Sequence, residues 1–197
     1  MENFREIITK ELICSDNENY FETLSRLILE KKEKQYSHKI NNRWENQYID
    51  VVDIPEIKKI LNHACYEGKK MIKRSLVIPY KELGFSRNEF WFNIAKPGDS
   101  TGWHNHKEKA VLSGVYYLQI PKGSGEIVFR KKRNNIWSEW SIKPNVGKLI
   151  LFDSFLEHSV KINKSDKIRI SIAFNLYTLP IMLSAGIEKY SSDKFYT

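Results

Sequence analysis

The stretch VLSGVYYLQIPKGSGEIVFR, residues 111–130, decides the expected fold. Residues 111–120 and 125–130 are rich in β-branched and aromatic side chains, which favour strands. Residues 121–125 between them contain a proline, two glycines and a serine, a combination typical of turns. The stretch therefore predicts two strands joined by a short turn.

The same alternation of strand and turn continues on both sides of this stretch. Further strands are predicted at 89–95, 136–142, 148–153, 157–161 and 168–177, with turns at 97–99, 133–135 and 144–147. Short strands at this spacing are typical of a β-sandwich or jelly roll.

The chain before residue 85 has the apolar spacing of helices. One amphipathic helix is predicted over residues 18–36. A second is predicted after Asp53, because Glu56 follows three residues later and the pair resembles a capping box.

We therefore expect a single domain of mainly β (α+β) class over residues 1–197. Residues 1–84 form its mainly helical part, residues 85–180 its jelly-roll core and residues 181–197 its tail. The helices are expected to pack on one of the two sheets.

The last predicted strand has two unlike faces, because successive side chains of a strand point to opposite sides. Ile170, Ile172, Phe174 and Leu176 form a face expected to pack under the helices. Arg169, Ser171, Ala173 and Asn175 form the other, which fits either solvent or the inside of a barrel that holds an anion.

Composition is that of a globular protein, with 41% hydrophobic and 28% charged residues in a chain of 197. No run approaches the roughly 20 apolar residues of a membrane helix, and the first residues lack the apolar core of a signal peptide. Two cysteines are too few for a disulfide framework. A cytoplasmic location is expected.

The net charge of +8 allows a polyanionic partner. No nucleic-acid motif and no interleaving of basic with aromatic residues is visible along the chain, so nucleic acid is the less favoured partner. The expected substrate is a small molecule or a peptidyl residue.

Three of the five histidines lie in the predicted β half. His104 and His106 are two residues apart, so on an extended segment both imidazoles point to the same side. His158 begins another predicted strand. Three ligands on one face with open positions opposite suit non-haem Fe(II).

Several short motifs in this half follow one another in the order found in a known superfamily. They are Trp103-His104-Asn105-His106, Ser113-Gly114-Val115-Tyr116-Tyr117, His158-Ser159-Val160, Arg169-Ile170-Ser171 and Phe174-Asn175. Over about residues 90–177 the chain resembles the 2-oxoglutarate/Fe(II) oxygenase superfamily, and within it a group of bacterial and phage proteins.

The resemblance implies a double-stranded β-helix that uses Fe(II) with 2-oxoglutarate as co-substrate. It implies a hydroxylase that releases succinate and CO₂. His104 and His158 resemble the first and last iron ligands of the superfamily. Arg169, Ser171 and Tyr117 resemble the residues that bind the distal carboxylate of 2-oxoglutarate, and Asn93 is a further candidate for the wall of that pocket. Trp103, beside the ligands, is a candidate for the substrate pocket.

The third ligand departs from the superfamily pattern, which has Asp two residues after the first histidine. Here His106 occupies that place. Either His106 completes an all-histidine triad, which the glycine-to-histidine spacing favours, or the register shifts and Glu108 is the third ligand.

Other classes of protein also fit these residues. A cupin-like metal enzyme would use the three histidines without 2-oxoglutarate and would have no need of Arg169. A non-catalytic basic binding module would retain the fold without its chemistry, and would bind nucleic acid with a steep salt dependence. A structural β-domain would leave the paired histidines unexplained.

Overall fold

A computed structural model describes residues 8–11, 19–32, 35–36, 39–40, 43–44, 46–106 and 110–179. The tail expected over residues 181–197 lies outside this part of the chain.

Two α-helices and fourteen strands make up the described chain. The helices are α1 (Tyr20–Glu30) and α2 (Lys58–Ile72), with 3-10 turns at Val51–Asp53, Pro55–Ile57 and Lys81–Leu83. The strands before residue 85 are short: β1 (Ile8–Glu11), β2 (Gln35–Tyr36), β3 (Lys39–Ile40), β4 (Arg43–Trp44), β5 (Gln47–Tyr48) and β6 (Leu76–Val77). The strands after it are β7 (Phe90–Ala95), β8 (Thr101–His104), β9 (Leu112–Gln119), β10 (Ile127–Arg133), β11 (Ile136–Ile142), β12 (Lys148–Asp153), β13 (Glu157–Val160) and β14 (Arg169–Thr178).

The strands form a large and a small sheet. The large sheet has the order β1-β12-β9-β14-β7-β5-β2, with β6 also paired to β14, and the small sheet has the order β11-β10-β13-β8. The strands β3 and β4 pair separately. From β7 onward the chain passes back and forth between the two sheets, and the paired strands are antiparallel. This arrangement confirms the expected jelly roll.

The main core lies between the helices and the outer face of the large sheet. Ile170, Ile172 and Phe174 of β14 are fully buried there. They belong to one cluster with helix residues such as Ile28 and Ile60. The face of β14 that was predicted to pack under the helices therefore does so, and the opposite face points into the barrel.

The helix boundaries predicted from sequence need correction. The first helix is shorter than residues 18–36, because α1 ends at Glu30 and its next residue, Lys31, has extended backbone. Asp53 does not cap the second helix, which begins at Lys58 after two 3-10 turns. Its carboxylate instead accepts a hydrogen bond of 2.6 Å from Lys31 Nζ.

Gly114 of β9 lies where the large sheet leaves no room for a side chain. A Cβ atom there would overlap the ring of Phe174 and lie 2.7 Å from Leu151 Cδ2. We expect Gly114→Ala to lower the free energy of unfolding by about 1–3 kcal/mol, the usual cost of overpacking a core. Thermal unfolding would measure this. Gly102→Ala is the matched control, because no atom lies within 4 Å of its Cβ position; equal losses in both variants would contradict the packing argument.

Candidate active site

Three histidines of the barrel face one another. His104 ends β8, His158 lies opposite it on β13, and His106 follows two residues after His104. Their ligand nitrogens all lie within 4.8 Å of one another. No carboxylate of the described residues belongs to this group. The sequence-predicted metal residues are therefore brought together.

Backbone contacts set the tautomers of two of these imidazoles. His104 Nδ1 lies 2.9 Å from the carbonyl oxygen of Gly102, and His158 Nδ1 lies 3.0 Å from that of Leu156. A carbonyl only accepts, so each Nδ1 carries the proton and donates it. Each Nε2 then keeps the lone pair that a metal ion needs.

Burial keeps His106 and His158 in the neutral form. Burial, with a smaller contribution from the neighbouring His104, lowers the pKa of His158 to about 3. It also lowers the pKa of His106 to about 4, again with a contribution from His104. Neutral imidazoles are the form that binds transition metals, and imidazole suits iron. This donor set therefore fits Fe(II).

The position of His106 depends on residues that the sequence did not indicate. Its backbone N–H donates a 2.9 Å hydrogen bond to the carbonyl oxygen of Ser154. The Ser154 hydroxyl in turn donates to the carbonyl oxygen of Ala110. The ring centroid of His106 lies 5.6 Å from that of Trp91. The alternative third ligand, Glu108, lies outside the described residues.

The residues predicted to bind 2-oxoglutarate lie in the same cavity as the histidines. This cavity has a volume of about 440 Å³, and Asn93, Tyr117, Arg169 and Ser171 line it with the three histidines. Ser171 of β14 pairs with Asn93 of β7 on one side and with Tyr117 of β9 on the other. The three strands therefore present these polar groups side by side.

Arg169 supplies the positive charge of this cavity. Its side chain is only 2% exposed, and its Nη1 donates a 2.9 Å hydrogen bond to the carbonyl oxygen of Ser124. Burial raises the pKa of Tyr117, and the charge of Arg169 partly opposes this. A protonated phenol and a guanidinium are both donors, so this end of the cavity suits a carboxylate.

Asn163 holds this end of the cavity together, although no sequence motif marked it. It is 1% exposed, and its Nδ2 donates to the carbonyl oxygens of Ala95 and Lys167. Ala95 is the register partner of Arg169. The asparagine thereby ties the loop before β14 to the end of β7.

Trp103 borders the cavity, but its ring lies on the other side of the small sheet. It directly precedes His104 on β8, so its side chain leaves the strand on the opposite face. There the guanidinium of Arg130 lies 4.3 Å from the ring centroid. The indole is 37% exposed.

The model of a protein family described as "Putative 2OG-Fe(II) oxygenase" matches residues 89–175. This stretch runs from β7 into β14 and contains all the site residues predicted from the sequence. The match covers most of the jelly-roll part of the chain and supports the resemblance to the 2-oxoglutarate/Fe(II) oxygenase superfamily, a class of oxidoreductases. The cofactors of this superfamily, Fe(II) and 2-oxoglutarate, are those predicted from the sequence.

Solved structures share the fold at low sequence identity. The α-ketoglutarate-dependent carbocyclase SnoK from nogalamycin biosynthesis has a TM-score of 0.67 at 12% identity, over 87% of this chain and 79% of its own. The epimerase SnoN, in complex with Fe³⁺, α-ketoglutarate and nogalamycin RO, has 0.63 at 10% identity, over 95% and 89%. A 2OG-Fe(II) oxygenase family oxidoreductase from Burkholderia pseudomallei has 0.56 at 14% identity, over 87% and 84%.

A comparison with curated protein sequences gave no match. Among the described residues, no helix has the length and apolar character needed to span a membrane.

Proposed function

We propose that the protein is an Fe(II)- and 2-oxoglutarate-dependent oxygenase that hydroxylates its substrate. One observation carries the proposal: a single cavity has three imidazoles at one end and a buried arginine at the other. A metal ion and a dicarboxylate are the ligands that such ends suit. When bound, iron and 2-oxoglutarate supply oxidising power from O₂, with release of succinate and CO₂.

The residues of the chain then have separate tasks. His104, His106 and His158 hold the metal through their nitrogens. Arg169 and Tyr117 donate hydrogen bonds to the far carboxylate of 2-oxoglutarate, and Ser171 and Asn93 orient it. Because Arg169 is fixed on the Ser124 carbonyl, little side-chain freedom is lost when the carboxylate binds.

A second cavity, next to the first, offers a binding site for the substrate. It has a volume of about 340 Å³ and shares Asn46, Trp91 and His106 with the first cavity. The polar side chains of Arg87, Glu89 and Asn175 also line it. A substrate group that binds there would lie beside the metal, on the side away from Arg169.

The first test does not require the substrate. Fe(II) and then 2-oxoglutarate are added anaerobically to metal-free protein, and the visible charge-transfer band of the chelated complex is followed. We expect the band only when both are present. Iron binding without the band would favour a cupin-like enzyme that does not use 2-oxoglutarate. No iron binding by folded protein would contradict the proposal.

The third ligand can be identified by a pair of variants. If His106 is the ligand, His106→Ala weakens Fe(II) binding more than about 10-fold, whereas Glu108→Gln has little effect, since even outer-shell partners of a metal contribute about 10–100-fold. Isothermal titration with Fe(II) under anaerobic conditions measures both. The reverse pattern would assign the position to Glu108.

A further inference from the structure

The strands β10 and β11 continue beyond the small sheet as a two-stranded arm. β13 pairs with β10 only from Ile127 to Arg130. The next three pairs, Lys131–Ser138, Lys132–Trp137 and Arg133–Ile136, lie beyond the register of β13. Asn134 and Asn135 at the tip have φ angles of 46° and 63°, as a tight hairpin turn requires. We define the hairpin arm as residues 131–138.

The hairpin arm projects from the side of the metal site. One row of paired residues crosses the four strands of the small sheet, from β11 to β8. It consists of Trp140, Phe129, His158 and His104. The tip of the arm lies four residues along β10 from Phe129, which corresponds to about 13 Å at the rise of a strand. Successive side chains of a strand point to opposite faces, so Arg130, Lys132 and Trp137 lie on the outer face of this sheet, as Trp103 does. The histidines lie on its inner face.

The arm concentrates positive charge. Arg130, Lys131, Lys132 and Arg133 follow one another on β10. The charge of Arg130 is balanced by Glu157, whose Oε2 lies 2.8 Å from its Nε. Lys132 and Arg133 are exposed, and no ion pair joins either of them to a described acidic residue. The only acidic residue of β11 is Glu139.

Large apolar side chains are exposed among these cations. The exposed fractions are 45% for Trp137, 38% for Trp140 and 70% for Ile136. The Arg130 guanidinium lies 4.4 Å from the ring centroid of Trp137 and 4.3 Å from that of Trp103, so it holds both indoles in place. Exposed apolar side chains grouped in this way mark interaction surfaces.

We propose that the hairpin arm binds single-stranded nucleic acid along the outer face of the small sheet. The cations of the arm would bind phosphates, and the exposed indoles would stack on unpaired bases, the combination that single-strand binding uses. This binding does not depend on the proposed function. Basic and aromatic residues do not alternate along the sequence. They become neighbours because β10, which carries the cations, pairs with β11, which carries the indoles.

An acidic polypeptide is the other polyanion that such charges could attract. Charge alone does not account for Trp137, whose exposed ring offers a flat surface on which a base can stack. A carboxylate could use only its single indole N–H. Stacking on aromatic rings is available to every base and requires an unpaired strand. The observations therefore favour the nucleic acid.

Fluorescence anisotropy with a labelled 15-nucleotide oligothymidylate tests the inference on the full chain. We expect binding that weakens steeply with salt, because each phosphate contact to a single strand contributes about −0.7 to the slope of log K against log salt. The triple variant Lys131→Ser, Lys132→Ser, Arg133→Ser should bind at least about 10-fold more weakly and reduce the slope by about 2. The matched control is Lys58→Ser, Lys59→Ser, Lys69→Ser, which removes the same charge from α2, across the large sheet from the site.

Two further measurements make the result decisive. Trp137→Ala should weaken binding of oligothymidylate several-fold at constant salt while binding of polyglutamate stays unchanged. Equal losses in the arm variant and the α2 control would overturn the inference, because binding would then follow net charge. Polyglutamate bound as tightly as the oligonucleotide, with no effect of Trp137→Ala, would assign the arm to acidic polypeptides and overturn it as well. The Fe(II) and 2-oxoglutarate band is read separately, so failure of the arm and failure of the oxygenase proposal are distinguishable.

Discussion

His158→Ala is expected to abolish the Fe(II)–2-oxoglutarate band and to weaken Fe(II) binding by more than about 100-fold, since even partners outside the ligand shell contribute about 10–100-fold. His158 is 6% exposed, and its ring centroid lies 4.2 Å from that of His104. Beyond His104, His106 and His158, no described histidine, aspartate or glutamate belongs to the cluster. No further side chain is therefore placed to replace His158 as a ligand. Anaerobic titration with Fe(II) measures the loss.

His63→Gln is the control for this experiment. His63 lies on α2 and takes no part in the cluster of three. We expect its replacement to leave iron binding and the band unchanged. Thermal unfolding of both variants shows whether the protein remains folded, because Phe129 and Phe152 pack on the ring of His158. Normal iron binding by folded His158→Ala protein would contradict the assignment.

Arg169→Met is expected to raise the Kd for 2-oxoglutarate by at least about 30-fold, since removing one partner of a buried charged hydrogen bond costs about 2–5 kcal/mol. Methionine fills much of the same space but cannot donate to the far carboxylate. Fe(II) affinity should stay within a few-fold, because Arg169 lies at the other end of the cavity. Titration of the band with 2-oxoglutarate in the presence of saturating Fe(II) measures the change.

Two comparisons refine this result. Ser171→Ala removes one hydroxyl from the same pocket, and we expect about a 10-fold increase in Kd at most, the usual value of a neutral hydrogen bond. A cupin-like enzyme would show no dependence on Arg169 at all. An unchanged Kd in both variants would therefore argue against 2-oxoglutarate in this cavity.

Most of the strands could be predicted from the preference of their own residues for extended backbone. The stretches 136–142 and 148–153 match β11 and β12 residue for residue, because β-branched and aromatic residues are bounded there by strong turn residues. The start of α2 was missed for the opposite reason. Asp53 offered a local capping signal, but its carboxylate pairs with Lys31, a contact between distant parts of the chain.

The site was predictable wherever spacing alone sets side-chain direction. The two-residue spacing of His104 and His106, and the alternation along β14, depend only on strand geometry. Ser154, Trp91 and Asn163 could not be found in this way. Each acts through a contact to a residue far along the chain, as in the hydrogen bond from His106 N–H to the Ser154 carbonyl.

The alternation of β14 also bears on how the protein can evolve. Ile170, Ile172 and Phe174 are fully buried beneath the helices, whereas Arg169, Ser171 and Ala173 line the cavity. Neighbouring positions of one strand therefore meet different physical demands, one set the packing of the core and the other the lining of the cavity. Specificity can drift at Ala173 without loss of the fold, whereas insertion of one residue would exchange the two sets and remove both properties at once.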